Sequence, residues 1–409
     1  MNRGSLLFAL LLPWVASCDD DGGEPELVFS LPDDEYWRDT RTFPPAGDRI
    51  VITNNLSDEL SVLDLAAVDS PDFGELMRVP VGRNPVEREG PHHLAAEASG
   101  EFYYVGISNY VPGSGSGPHG VHGAGTADGH VLKIRSTDHL AVDEIRVDRN
   151  PGDIRLSPDG RRLLVSHFDL LKIAEAVTNH LPPEAMDARL GIIDTANFTA
   201  TPTMVTVCPA PHGIAVSPDG RYAYLSCISD ELARVTLDDP AAAPLRLPVL
   251  ANPGPATAPV CSPYALTIPP AGDSVWVSCL ESGELLRYDV ASGAMDPGSR
   301  ILLPGGALFG TFTTDGANLF VPHQAPDGIA FIDANERRLL FDLQVERAAC
   351  INPHATSLTD DQRKLLVVCE GDHSGPGSLL VVDVAGRTVE KSVPLGRFPD
   401  DLAFVRAAP

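Results

Sequence analysis

The chain has 409 residues, with 30 basic against 56 acidic side chains and a formal net charge of −26. That balance excludes a nucleic-acid-binding surface, which needs clustered Lys and Arg, and direct adhesion to an anionic membrane surface. The length would hold two or three average domains, but one repeat runs through nearly all of it, so a single closed domain is expected.

Residues 1–18 read as a targeting segment. Arg3 supplies a positive start, and the apolar run 6–12 is too short to span a bilayer. Val15-Ala16-Ser17-Cys18 resembles a bacterial lipobox, so Cys18 is expected to become a lipid-modified N-terminus held by several acyl chains. An ordinary signal peptide cut near Ser17 is the alternative. Residues 19–26 form a polar, self-repelling tether, and 19–40 are read as tether and lead-in. Asp19 after the cysteine resembles an inner-membrane retention signal, which leaves the choice of membrane open.

Residues 41–409 are read as seven units of four strands. The first begins with its second strand at 49–53 and continues through 60–65 and 75–81. The second (84–148) turns at Ala98-Ser99-Gly100 and carries an insertion at 110–130 with His119, His122 and His130. The third (149–208) turns at Ser157-Pro158-Asp159-Gly160; its insertion at 168–189 holds a short helix at 170–180, stopped by Pro182-Pro183. The fourth (209–259) has the clearest copy. There Ile214-Ala215-Val216 and Tyr222-Ala223-Tyr224-Leu225 flank Ser217-Pro218-Asp219-Gly220, in which Pro presets φ, Asp accepts the bend and Gly takes φ > 0. Two apolar runs around such a turn are a β-hairpin. The fifth (260–305), sixth (306–350) and seventh (351–396) turn at Pro270-Ala271-Gly272-Asp273, Thr314-Asp315-Gly316 and Asp360-Asp361-Gln362. Residues 399–405 then supply the innermost strand that the first unit lacks. Four strands every ~45 residues is the pattern of propeller blades, and this closure removes the open edges.

The apolar-Ser-Pro-Asp-Gly-x-x-apolar-Tyr/Leu-Val-Ser/Thr-Asn pattern, with Val51-Ile52-Thr53-Asn54 as its nearest copy, resembles the YVTN-type β-propeller repeat. The resemblance covers roughly residues 40–409 and implies an all-β, seven-bladed propeller. It does not imply one function, because that scaffold hosts lactonases, dehydrogenase subunits, copper enzymes and binding proteins.

Besides Cys18 there are six cysteines: Cys208 and Cys227, Cys261 and Cys279, Cys350 and Cys369. Their separations are 19, 18 and 19. Each pair flanks one hairpin, and blades that carry the second member carry the first. In an exported chain this points to three intra-blade disulfides. Thiolate metal ligation is disfavoured, because no short Cys-x-x-Cys element is present.

Aligned on the proline that opens each innermost strand, the next residue from blade 1 to blade 7 is Asp400, His92, Gly152, His212, Tyr264, Leu308 and His354. One position further stand Asp401, His93 and Asp153. The second strands end in Asn54, Asn109, His167, Cys227, Cys279, His323 and Cys369, with His373 following. Arg83, Arg149 and Arg397 lie in the connections that lead into innermost strands. These positions should ring one mouth of the channel. Neutral imidazole is a good ligand for Cu or Zn, so His92, His93, His167, His212, His323 and His354 are candidate metal ligands. Arg83, Arg149, Asp153, Tyr264, Arg397 and Asp400 are candidate ligand-binding residues. His92-His93 resembles the paired histidines of the copper propeller of nitrous oxide reductase, but several strand openings here lack His and that family's carboxy-terminal copper domain is absent. The competing reading is that these side chains bond blade-top backbone. No Cys-x-x-Cys-His, Gly-x-Ser-x-Gly or Walker loop occurs, nor a Gly-x-Gly-x-x-Gly in a βαβ context.

The sequence therefore points to a monomeric, exported, lipid-anchored propeller. Its membrane contact is through the anchor alone, facing periplasm or cell exterior. The leading functional reading is a module that binds an envelope protein or small-molecule ligand through its His-rich face. A Cu/Zn oxidoreductase or metal-handling protein, and a lactonase-like hydrolase, are the alternatives.

Overall fold

The computed structural model describes residues 47–82, 89–108 and 125–407. The leader, the tether, Cys18, the lead-in, Arg83, Asn109, His119 and His122 lie outside them.

The described strands form seven antiparallel sheets in a ring. Blade 1 runs outward from Pro399–Val405 through Arg49–Asn54 and Glu59–Asp64 to Glu75–Pro80, so the C-terminal strand is its innermost. Arg49 pairs with Val405 and Ile52 with Leu402. The other innermost strands are Pro91–Ala96, Pro151–Leu156, Pro211–Val216, Pro263–Thr267, the broken pair Gly306–Ala307 and Thr311–Phe312, and Pro353–Leu358. Second strands such as Arg49–Asn54, Ser274–Cys279 and Lys364–Cys369 are buried along their whole length. Sandwiched between neighbouring blades, they read as continuous rather than alternating apolar runs.

The turn chemistry recurs blade by blade. Ser157 Oγ donates to Asp159 Oδ1 at 2.6 Å, Ser217 to Asp219 at 2.6 Å, and Thr359 to Asp361 at 2.7 Å. Gly160 and Gly220 both take φ +69°, while blade 7 places Gln362 there at φ +58°. A second device joins blades. In four blades the hydroxyl near the end of the second strand donates to the first carbonyls of the next blade's innermost strand: Thr53 to His92 O (2.5 Å), Ser166 to His212 O (2.5 Å), Ser226 to Tyr264 O (2.8 Å) and Ser278 to Leu308 O (2.9 Å). That is the Ser/Thr of the Val-Ser/Thr-Asn pattern, and its role is to staple the ring. Asp230 is a third fastener: its carboxylate accepts from the backbone N–H groups of Gly254, Val260, Cys261 and Ser262 in the lead-in to blade 5.

All three disulfides are formed. Cys208–Cys227, Cys261–Cys279 and Cys350–Cys369 have Cα–Cα separations of 6.0, 4.7 and 5.4 Å. Cys261–Cys279 closes the lead-in of blade 5 onto the second strand of the same blade. Cys350–Cys369 does the same in blade 7, which corrects one expected boundary. Cys350 was expected to end blade 6, but that blade's outermost strand stops at Arg338–Gln344. Cys350 lies beyond it, in a turn where its N–H donates to Glu346 O at 3.0 Å, and so belongs to the lead-in of blade 7. Cys208–Cys227 differs from the intra-blade expectation. Cys208 lies in Thr203–Pro209, the outermost strand of blade 3, and pairs there with Ala188, so this bridge ties blade 3 to blade 4. The reason is that the outer strand of blade 3 runs directly into blade 4, with only Ala210 between them.

Blade 6 has no opening proline, and its innermost strand is interrupted. Between its two short pieces, Phe309 N donates to His354 O and Thr356 N donates to Phe309 O, each at 3.1 Å, so this segment hydrogen-bonds to the innermost strand of blade 7. The displacement brings the Phe309 ring against the histidines on the axis.

Candidate functional site

The residues that follow the opening prolines meet at the centre of the ring. His92, His212, Tyr264, Leu308, His354 and Asp400, with His93 and Asp153, are each at most 1% exposed. Their rings touch. His92 and His93 are 4.4 Å apart between centroids, His92 and His212 5.4 Å, and His93 and His212 5.5 Å, all edge-on. His212 stacks on Tyr264 at 3.9 Å. Gly152 holds the equivalent place in blade 3, where an added Cβ would lie 2.9 Å from Ser166 Oγ and 3.5 Å from His212 Cδ2. A side chain there would crowd His212 and the staple that holds it.

This end of the axis is closed. Phe168 packs edge-on against His212 and Tyr264, and Ile173 joins the same apolar cluster. Ile173 comes from the expected helix, which runs Leu170–Thr178 and is capped by Asp169. The four central histidines are therefore interior and cannot themselves form a protein-docking surface.

The polar contacts are specific. His92 Nδ1 lies 3.2 Å from Pro151 O, and its Nε2 lies 3.0 Å from Asp400 Oδ2. His354 Nδ1 faces both the carbonyl of Asp400 (2.8 Å) and its Oδ1 (3.0 Å). Asp400 thus joins blades 2 and 7 across blade 1. His93 Nδ1 sits between Asp153 Oδ1 (3.1 Å) and Asp401 Oδ2 (3.2 Å). Each of those carboxylates also accepts a backbone N–H from the next blade, Asp401 from Leu94 and Asp153 from Ile214. Arg155 closes the network, 3.2 Å from Asp153 and 3.6 Å from Asp401.

Burial opposes a charge on His93, but Asp401 and Asp153 outweigh it and raise its pKa to about 10. Burial works to raise Asp401, yet His93 and Arg155 bring it down to about 2. Burial likewise opposes charging His354, and Asp400 overrides it to raise that histidine. Burial also pushes the Tyr264 phenol well up. Blades 1, 2 and 3 thus meet in a buried latch of two carboxylates, an imidazolium and a guanidinium.

Other expected residues lie apart from this cluster. His167 Nδ1 contacts Arg189 O at 2.6 Å within its own blade, and burial lowers its pKa. His323 lies between Pro326 O and Asp342 Oδ1, each at 2.8 Å. Neither has a ring or polar contact with the central histidines among the described residues, because both end second strands, one strand further from the axis. Arg149 is engaged by Asp169 (3.0 Å) and Glu175 (2.9 Å), which anchor the helix. Arg397 reaches His373 O at 3.4 Å.

The open space lies at the opposite end. A cavity of ≈ 400 Å³ is lined by the later halves of the innermost strands, including Arg155, Ile214, Phe309, Thr356 and Asp401, and it reaches Pro158 in the hairpin turn. Its volume falls within the roughly 300–1,000 Å³ of small-molecule sites. Among its described lining residues Arg155 is the one cation, with a side chain 32% exposed. The alignment on strand-opening residues missed it. Four positions after the opening prolines, the other blades carry Ala95, Ala215, Thr267, Ser357 and Ala403, so Arg155 is the outlier in its own column.

As for metal, one ligand atom from each of His92, His93 and His212 lies within 4.8 Å of the others, and the same holds for His93, Asp153 and Asp401.

No family model matches the chain, and no curated protein matches it. Solved structures do. The periplasmic gluconolactonase of Pseudomonas aeruginosa superposes with a TM-score of 0.64 at 17% identity, over 88% of this chain and 99% of that one. A Bacteroides fragilis protein provisionally named a 6-phosphogluconolactonase gives 0.63 at 13%, over 89% and 99%. The hydrazine synthase of Kuenenia stuttgartiensis gives 0.57 at 15%, over 80% and 99%. At these identities the likeness is one of fold, the seven-bladed propeller with four-stranded blades.

Proposed function

We propose that this protein is an exported hydrolase of small polar lactones, with its reaction at the floor of the axial cavity. The carrying observation is Arg155: a half-buried guanidinium that faces a cavity of ≈ 400 Å³ and is held from behind by Asp153 and Asp401. A lactone bound there would turn its carbonyl oxygen to Arg155. Water adds to the carbonyl carbon, the ring C–O bond breaks, and the ring oxygen leaves with a proton as the free acid forms. Arg155 stabilises the charge that develops on the carbonyl oxygen, and the ionised Asp401 orients the water. The gluconolactonase among the fold relatives supports this choice over a protein-docking role, as does the closure of the histidine-bearing end. Three disulfides fit an oxidising, exported compartment. Lipid attachment at Cys18 and a monomeric state belong to the same proposal.

The test is lactone turnover by the purified chain against glucono-1,5-lactone and a panel of five- and six-membered lactones. Arg155→Gln should lower kcat by about 10²-fold or more, the cost of removing one donor to a developing oxyanion, while its circular dichroism stays that of a propeller. Absence of turnover on every lactone would sink the reading. So would an Arg155→Gln enzyme of full activity. Binding of the product acid without turnover would return the cavity to a ligand-binding role.

A further inference from the structure

We propose that His92, His93 and His212 form a mononuclear three-histidine site for a borderline divalent transition metal, of the Zn, Cu or Co class, buried on the axis behind the cavity floor. The inference goes beyond hydrolysis, and its ligand nitrogens are distinct from the groups proposed to act on a lactone.

Convergence is the first argument. The three rings come from the innermost strands of blades 2 and 4, so rigid elements position them. They meet at interplanar angles of 87°, 70° and 76°. One ring nitrogen from each lies within 4.8 Å of the other two.

The second argument is His93 Nε2. It is fully buried and has no hydrogen-bond partner, although Nδ1 of the same ring has two carboxylates within 3.2 Å. A buried imidazole nitrogen left without a partner is costly, and a metal ion is a partner it can take by displacing the Nε2 proton of the imidazolium, which is released on binding. His167 shows the contrast: its Nε2 is likewise without a partner, but among the described residues its ring lies outside any such cluster.

The surroundings are those of a ligand shell. Metal-bound histidines usually hand their other nitrogen to a carboxylate or backbone carbonyl, which fixes the tautomer. His93 Nδ1 faces Asp153 and Asp401, and His92 Nδ1 faces Pro151 O at 3.2 Å. A carbonyl can only accept, so with a metal bound the proton of His92 would sit on Nδ1 and the ion would take the place of a proton between Nε2 and Asp400. His92 Nε2 is then the coordinating atom, and it lies 3.0 Å from Asp400 Oδ2, which can join the set as a carboxylate. Imidazole donors select Zn, Cu, Co and Ni over Ca and Mg. Among the described residues three aspartates, Asp153, Asp400 and Asp401, surround the site and Arg155 is the one guanidinium paired with them, which favours a divalent cation. Asp401 belongs to both places: it holds His93 and lines the cavity.

Because the site is sealed, metal must enter as the chain folds. The experiment uses the untagged full chain, unfolded with its disulfides intact and refolded with Zn(II), Co(II) or Cu(II) in turn. After gel filtration, metal is measured by mass spectrometry. About one equivalent per chain is expected with at least one metal, and Cu(II) pulsed electron paramagnetic resonance should show coupling to histidine nitrogens. His212→Phe, which keeps a ring against Tyr264, and His92→Gln should each lower the content at least tenfold. If both variants fail to fold, the spectrum of the wild-type complex decides. Retention of less than a tenth of an equivalent of all three metals overturns the proposal, as does bound Cu(II) without histidine coupling, or variants that load like the wild type. Arg155→Gln should lose lactone turnover and keep its metal, so failure of either proposal is seen apart from the other.

Discussion

Two arcs of the ring are fastened by different chemistry. In blades 4, 5 and 7 the second strand ends in Cys227, Cys279 or Cys369, each in a disulfide. In blades 1 and 3 the same position is Asn54 or His167, and hydrogen bonds do the fastening: Asn54 Oδ1 accepts from Gly396 N at 3.2 Å, and His167 Nδ1 contacts Arg189 O at 2.6 Å. The ionic latch follows the same division, since Asp401, His93, Asp153 and Arg155 all belong to blades 1 to 3. A disulfide acts mainly by restricting the unfolded chain, so it stabilises without setting the native site. A buried ion network acts in the folded state and holds particular atoms in place, at a desolvation cost. The blades whose second strands end without a cysteine carry the latch, and Cys208 of blade 3 ties that arc to blade 4, which supplies His212.

The largest effect should come from breaking the latch. His93→Leu leaves Asp153 and Asp401 facing each other in the interior. Removal of one partner from a buried ion network costs about 3–5 kcal/mol, read as a lower denaturant midpoint at pH 7. Adding Asp153→Asn and Asp401→Asn to His93→Leu should recover part of that loss. A single variant within about 1 kcal/mol of wild type, well short of that range, would show that no net charge is buried there.

The same comparison can be made along pH. The folded pKa of His93 is raised to about 10 from 6.5, so its contribution is complete below pH 6.5 and is lost as pH rises through about 10. Asp401 is lowered from 3.8 to about 2, so its contribution is present above pH 3.8 and is lost as pH falls through about 2. The stability gap between wild type and His93→Leu should be widest between these two losses and should close toward pH 10. A gap that stays constant from pH 6 to 10 would mean that His93 is held by packing rather than charge.

Removing Cys261–Cys279 by a double serine substitution should cost about 3 kcal/mol, the chain-entropy value for so short a loop. That loss should not change across the pH range in which the His93 gap closes, and this difference separates the two arcs.

The blades, their turns and the ring closure were legible because they rest on local chemistry that repeats: short apolar runs around Pro, Asp and Gly. The cysteine pairing was legible from co-occurrence, but the Cys208 bridge crosses two blades because the chain passes from blade 3 to blade 4 through Ala210 alone. The central histidines were found because alignment on the opening prolines puts Asp400, His92, His212, Tyr264 and His354 in one column, and a propeller brings a column to the axis. Their depth was not legible. Phe168 and Ile173 arrive from an insertion and Phe309 from a broken strand, so no repeat announces that they close the axis over the histidines. Arg155 was hidden for another reason. It lies in the later half of its strand, and the cavity exists only once six other strands have converged around it.

The smallest effect concerns the hydroxyl staples, and it bears on the site most directly. Ser166→Ala removes the bond to His212 O (2.5 Å) and the acceptor of Asp153 N (2.9 Å). Ser226→Ala removes the equivalent bonds, to Tyr264 O (2.8 Å) and from Gly213 N (2.8 Å). Each should cost about 1–2 kcal/mol, a lost hydrogen bond plus a buried group left unsatisfied. The stabilities should therefore fall together, while the consequences for the axis differ. Ser166 fixes the backbone of both His212 and Asp153, so its loss loosens one proposed metal ligand and the carboxylate behind another. Ser226 fixes Tyr264, which only packs against His212, although its bond from Gly213 lies next to that histidine in the chain. Metal content at limiting Co(II) should fall several-fold in Ser166→Ala and by less in Ser226→Ala. Equal falls would show that the staples act on the ring as a whole and that the arc holding the latch has no separate hold on the histidines.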